Sequence, residues 1–117
     1  MAKNMVFADG TKLSLVASDP ATPKSGDPVV IGQIPAVSVT KERTDGTTSV
    51  DTEGVWLLSV KGVDGVGNSA VAAGDILYYV AADTPKLSKK ATGVRYGYAL
   101  QAITSGATAT IRVKLGY

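Results

Sequence analysis

Short runs in which apolar and polar residues alternate recur along the chain, and each run predicts one β-strand. The clearest, residues 108–115, places apolar side chains on one face and polar or charged side chains on the other. An earlier run, residues 11–16, repeats this pattern with Leu13 and Leu15. Alternation with a period of two residues is typical of a half-buried strand. Turn signals separate about eight to ten such strands at roughly 8–12-residue spacing. The pattern therefore predicts an all-β fold, a compact antiparallel β-sandwich or barrel.

Two segments are built to the same plan, which predicts an internal pseudo-repeat of two related three-strand units. Residues 25–32 and 73–80 each have a small residue, then Gly-Asp, and then an apolar run of β-favouring residues. Glycine tolerates a positive φ and aspartate can bond to its own backbone, so each segment predicts a turn that leads into a strand. Convergence of turn chemistry on Gly-Asp would produce the same similarity. The predicted structural turn residues are Gly26, Asp27, Gly74 and Asp75.

The length of the chain limits the number of domains. A chain of 117 residues suits one domain, which we predict over residues 9–117, after an N-terminal arm of mixed character over residues 1–8. The N-terminal residues lack the apolar region of a signal peptide, and no apolar run approaches the roughly 20 residues of a membrane helix. We therefore expect synthesis in the cytoplasm and no membrane partner.

Residues 55–58, Val-Trp-Leu-Leu, are apolar on both faces of a predicted strand. Such a strand is covered on both sides, either inside a closed barrel or at a contact with another chain. Large apolar side chains are usually buried, which favours the core for Trp56. Aromatic residues are also enriched at interface cores, so an oligomer would use an apolar face such as that of Trp56 or Tyr79.

Charge and composition exclude more functions than they suggest. The net charge is +2, and the one basic group, Lys86, Lys89 and Lys90, lies in a predicted loop, as solvated lysines often do. The absence of His and Cys removes the usual general base, the common nucleophile pairs and the usual zinc ligands. Residues 62–69 are glycine-rich but fit neither a P-loop nor a dinucleotide-binding motif. We therefore predict no enzyme activity, no catalytic residue, no cofactor and no metal site.

Five segments together resemble the small decoration, or cement, proteins of tailed-bacteriophage capsids, whose members often carry an inherited label of RecA/RadA-type recombinase. The segments are residues 1–4, 25–30, 54–56, 73–79 and 94–115. The label does not fit this chain, which lacks a Walker A lysine and the large α/β core of such an ATPase.

The resemblance implies a head-stabilising protein on the capsid surface of the virion, with the major capsid protein as partner and no direct contact with nucleic acid. It also implies a homo-oligomer, with a trimer favoured over a dimer. By analogy, the N-terminal arm is expected to reach the shell. The arm residues expected to touch the capsid are Ala2, Lys3, Asn4, Met5 and Phe7.

Two other function classes remain open from the residues. A small β-barrel could bind single-stranded nucleic acid by stacking bases on tyrosines with lysines nearby. The tyrosines in question are Tyr78, Tyr79, Tyr96 and Tyr98. A glycan-cleaving enzyme could use Asp27 and Asp75 as paired carboxylates. A hydrogen bond from the backbone of its own turn to each carboxylate is a simpler explanation for both aspartates.

Overall fold

The computed structural model describes residues 12–20, 23–40 and 44–116. Within these ranges the chain forms nine β-strands and no helix, and the all-β prediction is confirmed. The strands are β1 (Lys12–Leu15), β2 (Pro28–Ile31), β3 (Ile34–Ser38), β4 (Thr48–Asp51), β5 (Val55–Lys61), β6 (Ile76–Tyr79), β7 (Leu87–Ser88), β8 (Val94–Ala99) and β9 (Thr108–Leu115). They divide into a four-stranded sheet and a closed five-stranded barrel. The predicted arm over residues 1–8 lies outside the described residues.

The sheet contains the first four strands in the order β1-β4-β3-β2, and all of its pairs are antiparallel. Ile31 pairs with Ile34, so β2 and β3 are joined by a two-residue loop. Gly32 begins this loop with a φ of 61°, the position that a type II′ turn gives to glycine. The Asp45-Gly46 turn lies between β3 and β4, and Gly46 has a φ of 86°.

The barrel follows the order β5-β7-β6-β8-β9 and closes through antiparallel pairing of β9 with β5. That pairing runs without interruption from Val55 opposite Lys114 to Lys61 opposite Thr108. Its other pairs are antiparallel except β5 with β7, which meet in parallel at Val60 and Leu87. Strand β7 was not predicted, because two residues are too few to show a period.

The main core joins the sheet to the barrel. Val30 and Val37 of the sheet belong to one buried cluster with the inward side chains of the barrel. The register between β6 and β8 shifts beside Leu77, so Tyr96 is an extra residue in β8, as in a β-bulge. A bulge can re-aim a side chain, and the Tyr96 hydroxyl donates a 2.6 Å hydrogen bond to the carbonyl of Ala36 in the sheet. A smaller buried cluster occupies the sheet alone.

The first Gly-Asp segment forms a tight turn before β2. The amide of Asp27 donates to the carbonyl of Lys24 at 3.0 Å, and its carboxylate accepts from the Lys24 amide at 3.0 Å. Gly26 has a φ of 87° and donates its amide to the carbonyl of Ser38. The turn is therefore closed by both backbone and side chain and is attached to β3.

The second Gly-Asp segment makes the same set of hydrogen bonds before β6. The amide of Asp75 donates to the carbonyl of Ala72 at 3.1 Å, and its carboxylate accepts from the Ala72 amide at 2.8 Å. Gly74 has a φ of 94° and donates to the carbonyl of Ala99 in β8. The similarity of the two segments thus extends from residue types to bonding. Shared ancestry and shared turn chemistry both remain consistent with it.

Residues 50–60 are divided between β4 in the sheet and β5 in the barrel. The Asp51 carboxylate accepts a hydrogen bond from the amide of Glu53, and Gly54 has a φ of 106°. These two features turn the chain between β4 and β5, so residues 52–54 become the linker between the sheet and the barrel.

Candidate interaction surface

Strand β5 has a buried face and an exposed apolar face. Leu58 and Val60 are buried in the main core, whereas Val55 is 55% exposed and Leu57 is 69% exposed. The run that looked apolar on both faces is therefore covered by the barrel on one face only. Neighbouring apolar side chains on an exposed strand face are candidates for contact with a partner.

Strand β9 adds positive charge beside these apolar residues. Arg112 pairs with Leu57, and Lys114 pairs with Val55. Paired residues in antiparallel strands lie on the same face of a sheet, so both cations are on the outside of the barrel. Both are exposed to solvent.

Tyr98 of β8 extends the same surface, because it pairs with Lys114. The Lys114 Nζ lies 5.9 Å from the centre of the Tyr98 ring, and the Arg95 Cζ lies 5.6 Å from it. Arg95 also donates a 2.6 Å hydrogen bond to the Tyr98 hydroxyl. We name this surface the β5–β9 face, and its members are Val55, Leu57, Ser59, Lys61, Tyr98, Thr108, Thr110, Arg112 and Lys114.

The β5–β9 face contains no aspartate or glutamate among these members. The lysine group predicted as a basic loop is different, because each of its lysines has an acidic partner. Its ion pairs are Lys86–Asp19 at 2.7 Å, Lys89–Asp75 at 3.4 Å and Lys90–Asp83 at 2.8 Å. The β5–β9 face therefore carries cations without an ion pair among those found in the described ranges, whereas the lysines of that loop are all paired.

The lysine loop also helps to join the sheet and the barrel. The carboxylate of Asp19 accepts hydrogen bonds from the Tyr79 hydroxyl and from Lys86. Burial raises the pKa of Asp19, but the hydrogen bonds from Lys86 and Tyr79 and the charge of Lys86 outweigh that effect, so the pKa is lowered. Burial, together with the bond to Asp19, raises the pKa of Tyr79.

The predicted oligomer-interface residues do not lie on the exposed face of β5. Tyr79 is 2% exposed and belongs to the main core, so its ring has no surface to offer a second copy. Trp56 is partly buried against the same core, and its Nε1 donates to the carbonyl of Glu53 at 2.9 Å. The predicted capsid contacts Ala2, Lys3, Asn4, Met5 and Phe7 lie outside the described residues.

The four tyrosines weighed for nucleic-acid stacking do not share one surface. Tyr79 and Tyr96 are buried, with ring centres 6.1 Å apart, and they connect the barrel to the sheet. Tyr78 and Tyr98 are partly exposed. The set therefore does not form a stacking platform.

The two carboxylates weighed for catalysis are both held in turns. Asp27 accepts from the Lys24 amide, and Asp75 accepts from the Ala72 amide. That hydrogen bond, together with Lys89, lowers the pKa of Asp75 despite partial burial. In the described part of the chain, no three metal-binding side chains form a group that could hold an ion.

The glycine-rich loop is organised by one aspartate. The carboxylate of Asp64 accepts hydrogen bonds from the amides of Val66 at 2.8 Å and Gly67 at 3.0 Å, which lower its pKa. A polar cleft of about 320 Å³ lies between this loop, Pro85 and Lys90. These hydrogen bonds fix the conformation of the loop. The presence of Asp64 and of the glycines is therefore explained by the structure of the loop, without a ligand.

Sequence reasoning missed Val55 and Leu57 as surface residues. The alternation of β9 already placed Arg112 and Lys114 opposite the core face. Because side chains alternate along a strand, the burial of Leu58 and Val60 places Val55 and Leu57 on the opposite face of β5 from those core residues. What the sequence did not reveal was that β5 pairs with β9, which brings the apolar and the cationic residues together.

Comparison with known proteins gives one match. A family model described as phage cement protein matches residues 7–115. Searches of the curated proteins and of the solved structures found no match. Among the described residues, no helix has the length and apolar character needed to cross a membrane.

Proposed function

Because this chain belongs to the phage cement protein family, we propose that it binds the outer surface of a tailed-phage head and stabilises the shell. The family gives the chain a capsid-associated, structural role in the virion. The partner in this proposal is the major capsid protein. The observation that carries it is the extent of the match, which covers both the sheet and the barrel.

The structure supports a binding role through the kind of surface it presents. The sheet and the barrel share one core, and hydrogen bonds from Tyr79 and Tyr96 join them. The β5–β9 face lies on paired strands rather than on a loop. Binding surfaces on rigid elements lose little conformational entropy when they bind.

Stabilisation of a shell by a small protein depends on many copies acting together. A head presents the same site repeatedly, so weak individual contacts sum when symmetric copies bind. We extend the proposal to a homo-oligomer, with a trimer favoured over a dimer, since each oligomer could then hold several capsid subunits. The N-terminal arm, residues 1–8, is proposed to reach the shell.

The test compares the full chain with a variant that lacks residues 1–7. We expect the deletion to stay folded, because the nine strands of the described residues lie within residues 12–115, and to lose binding to emptied heads in cosedimentation. A full-length variant with Lys3→Ser, Met5→Ser and Phe7→Ser separates arm chemistry from arm length. Thermal unfolding checks that each variant is folded.

Two results would count against these proposals in different ways. Undiminished binding by the deletion variant would remove the arm from the mechanism and leave the capsid role in place. No binding by the wild-type protein to heads, and no effect on their resistance to heat, would contradict the proposed function itself.

A further inference from the structure

The β5–β9 face has an aliphatic centre on a well-paired part of the barrel. Leu57 lies in the middle of β5, with Val55 and Ser59 next to it on the same face and Arg112 beside it on β9. Strands β5 and β9 are paired over seven consecutive residues. The exposed apolar side chains are therefore presented in fixed positions.

Positive charge surrounds that centre. Lys61, Arg112 and Lys114 belong to the face, and Arg95 contacts it through Tyr98. None of the three ion pairs found within the described residues involves Lys61, Arg112 or Lys114. Charge of one sign without compensation on a surface favours a partner of the opposite sign.

A second copy of this chain is poorly suited to cover the face. In a two-fold contact the same patch meets itself, so Arg112 and Lys114 would oppose like charges. In a head-to-tail contact the face would need an acidic patch elsewhere on the chain. Three of the eight described acidic side chains, Asp19, Asp75 and Asp83, are already paired with lysines. Four others accept backbone hydrogen bonds that hold them in their own turns; they are Asp27, Asp45, Asp51 and Asp64.

Nucleic acid also carries negative charge, but the centre of the face does not suit it. Binding of single strands relies on aromatic side chains that stack on bases. The centre here is formed by Val55 and Leu57, and the one aromatic member, Tyr98, has its hydroxyl bonded to Arg95. An acidic protein surface with an apolar centre fits both parts of the face.

We propose that the β5–β9 face docks onto an acidic patch with an apolar centre on the outer surface of the major capsid protein. This inference rests on the proposed function and adds the contacting face and the chemistry of its partner. The face has nine members, fewer than the roughly 20–30 residues on each side of a standard interface. Each contact is therefore weak alone and acts through repetition over the shell.

The experiment uses the full-length protein and purified emptied heads, with one variant for each part of the face. Arg112→Glu reverses a charge, and Leu57→Ser removes the apolar centre. Lys24→Glu and Val16→Ser are matched controls, because Lys24 and Val16 are exposed outside the barrel strands. We expect each face variant to weaken binding about tenfold, with the controls within roughly twofold of wild type. Added salt should weaken wild-type binding more than binding by Arg112→Glu.

Thermal unfolding, sedimentation velocity and retention on an oligonucleotide column complete the test. If both face variants bind heads as strongly as the wild-type protein, this inference is overturned. The proposed function then still stands, because the wild-type protein binds heads. It is also overturned if the variants separate the subunits and their monomers still bind heads, which would make the face a contact between copies. Loss of oligonucleotide retention with unchanged head binding would assign the face to nucleic acid. Failure of the wild-type protein to bind heads would remove the proposed function and this inference together.

Discussion

Gly97 of β8 allows this strand to lie closer to β9 than a residue with a Cβ would allow. A Cβ at this position would lie 2.2 Å from the carbonyl oxygen of Lys114 and 3.2 Å from its carbonyl carbon. Both are backbone atoms of β9, so rotation of a side chain would not relieve the clash. A glycine inside a strand often marks a close approach of another backbone, and at Gly97 that backbone is β9.

We expect Gly97→Ala to lower the free energy of unfolding by about 1–3 kcal/mol, the usual cost of forcing an extra group into a packed site. Guanidinium denaturation measures the change. Gly65→Ala is the matched control, because a Cβ there meets nothing within 4 Å and its backbone has no positive φ. The control should stay within about 0.5 kcal/mol of wild type. Equal losses in the two variants would show that close approach of β8 and β9 is not the cause.

At the scale of elements, the sheet and the barrel are joined by contacts between residues far apart in sequence. Asp19, which forms a bridge with Val30 of the sheet, receives the Tyr79 hydroxyl from β6 and the ammonium of Lys86. Tyr96 bonds to the Ala36 carbonyl. A change at Asp19 should therefore affect how the two parts are held together.

The lowered pKa of Asp19 predicts a pH dependence of stability. Because the folded pKa is below the unfolded value of 3.8, the stabilisation is fully present above that value and is lost as the pH falls through the folded pKa. We expect Asp19→Asn to cost about 1–2 kcal/mol at neutral pH and progressively less as the pH falls below 3.8. Denaturation curves over this pH range give the difference between variant and wild type.

Glu53→Gln serves as the control for the same loss of charge, at an exposed position in the linker. Its difference from wild type should remain small at neutral pH. If Asp19→Asn and wild type differed by a constant amount at every pH, the difference would come from packing. The charge of Asp19 would then have no part in joining the sheet and the barrel.

Elements that are determined by residues close together in sequence could be predicted. Elements that depend on contacts between residues far apart in sequence could not. The turn at Gly74-Asp75 follows from glycine conformation and aspartate bonding, and β9 follows from its own alternation. The separation of β4 from β5 and the pairing of Leu57 with Arg112 depend on residues far away in the chain. For the candidate site, the charges on β9 were predictable, whereas the exposed side of β5 depended on that pairing.

At the scale of the whole molecule, a capsid role needs at least one surface for the shell, and an oligomer needs another for its neighbour. We have proposed the β5–β9 face for the shell on the basis of its charge. A groove of about 500 Å³, lined by residues 52–55 and 114–116, lies at the end of β5 and β9. Trp56 lies directly beside this groove, since its Nε1 is 3.2 Å from where a Cβ on Gly54 would be. We propose the oligomer contact on the Trp56 side of this groove, at residues 52–54 of the linker, which do not belong to the β5–β9 face.

We expect the full-length protein to sediment as an oligomer, and Trp56→Ala to weaken that association, because its ring supports the side of the groove. The same change should lower stability by about 2–3 kcal/mol, since the ring also packs partly against the core. Loss of stability alone could separate subunits, so Leu58→Ala is the matched control. Leu58 lies two residues further along β5 and is buried inside the barrel. Sedimentation equilibrium, at concentrations where both variants are folded, should show dissociation for Trp56→Ala only. A monomeric mass for the wild-type protein at high concentration, or equal dissociation of the two variants, would remove Trp56 from the interface.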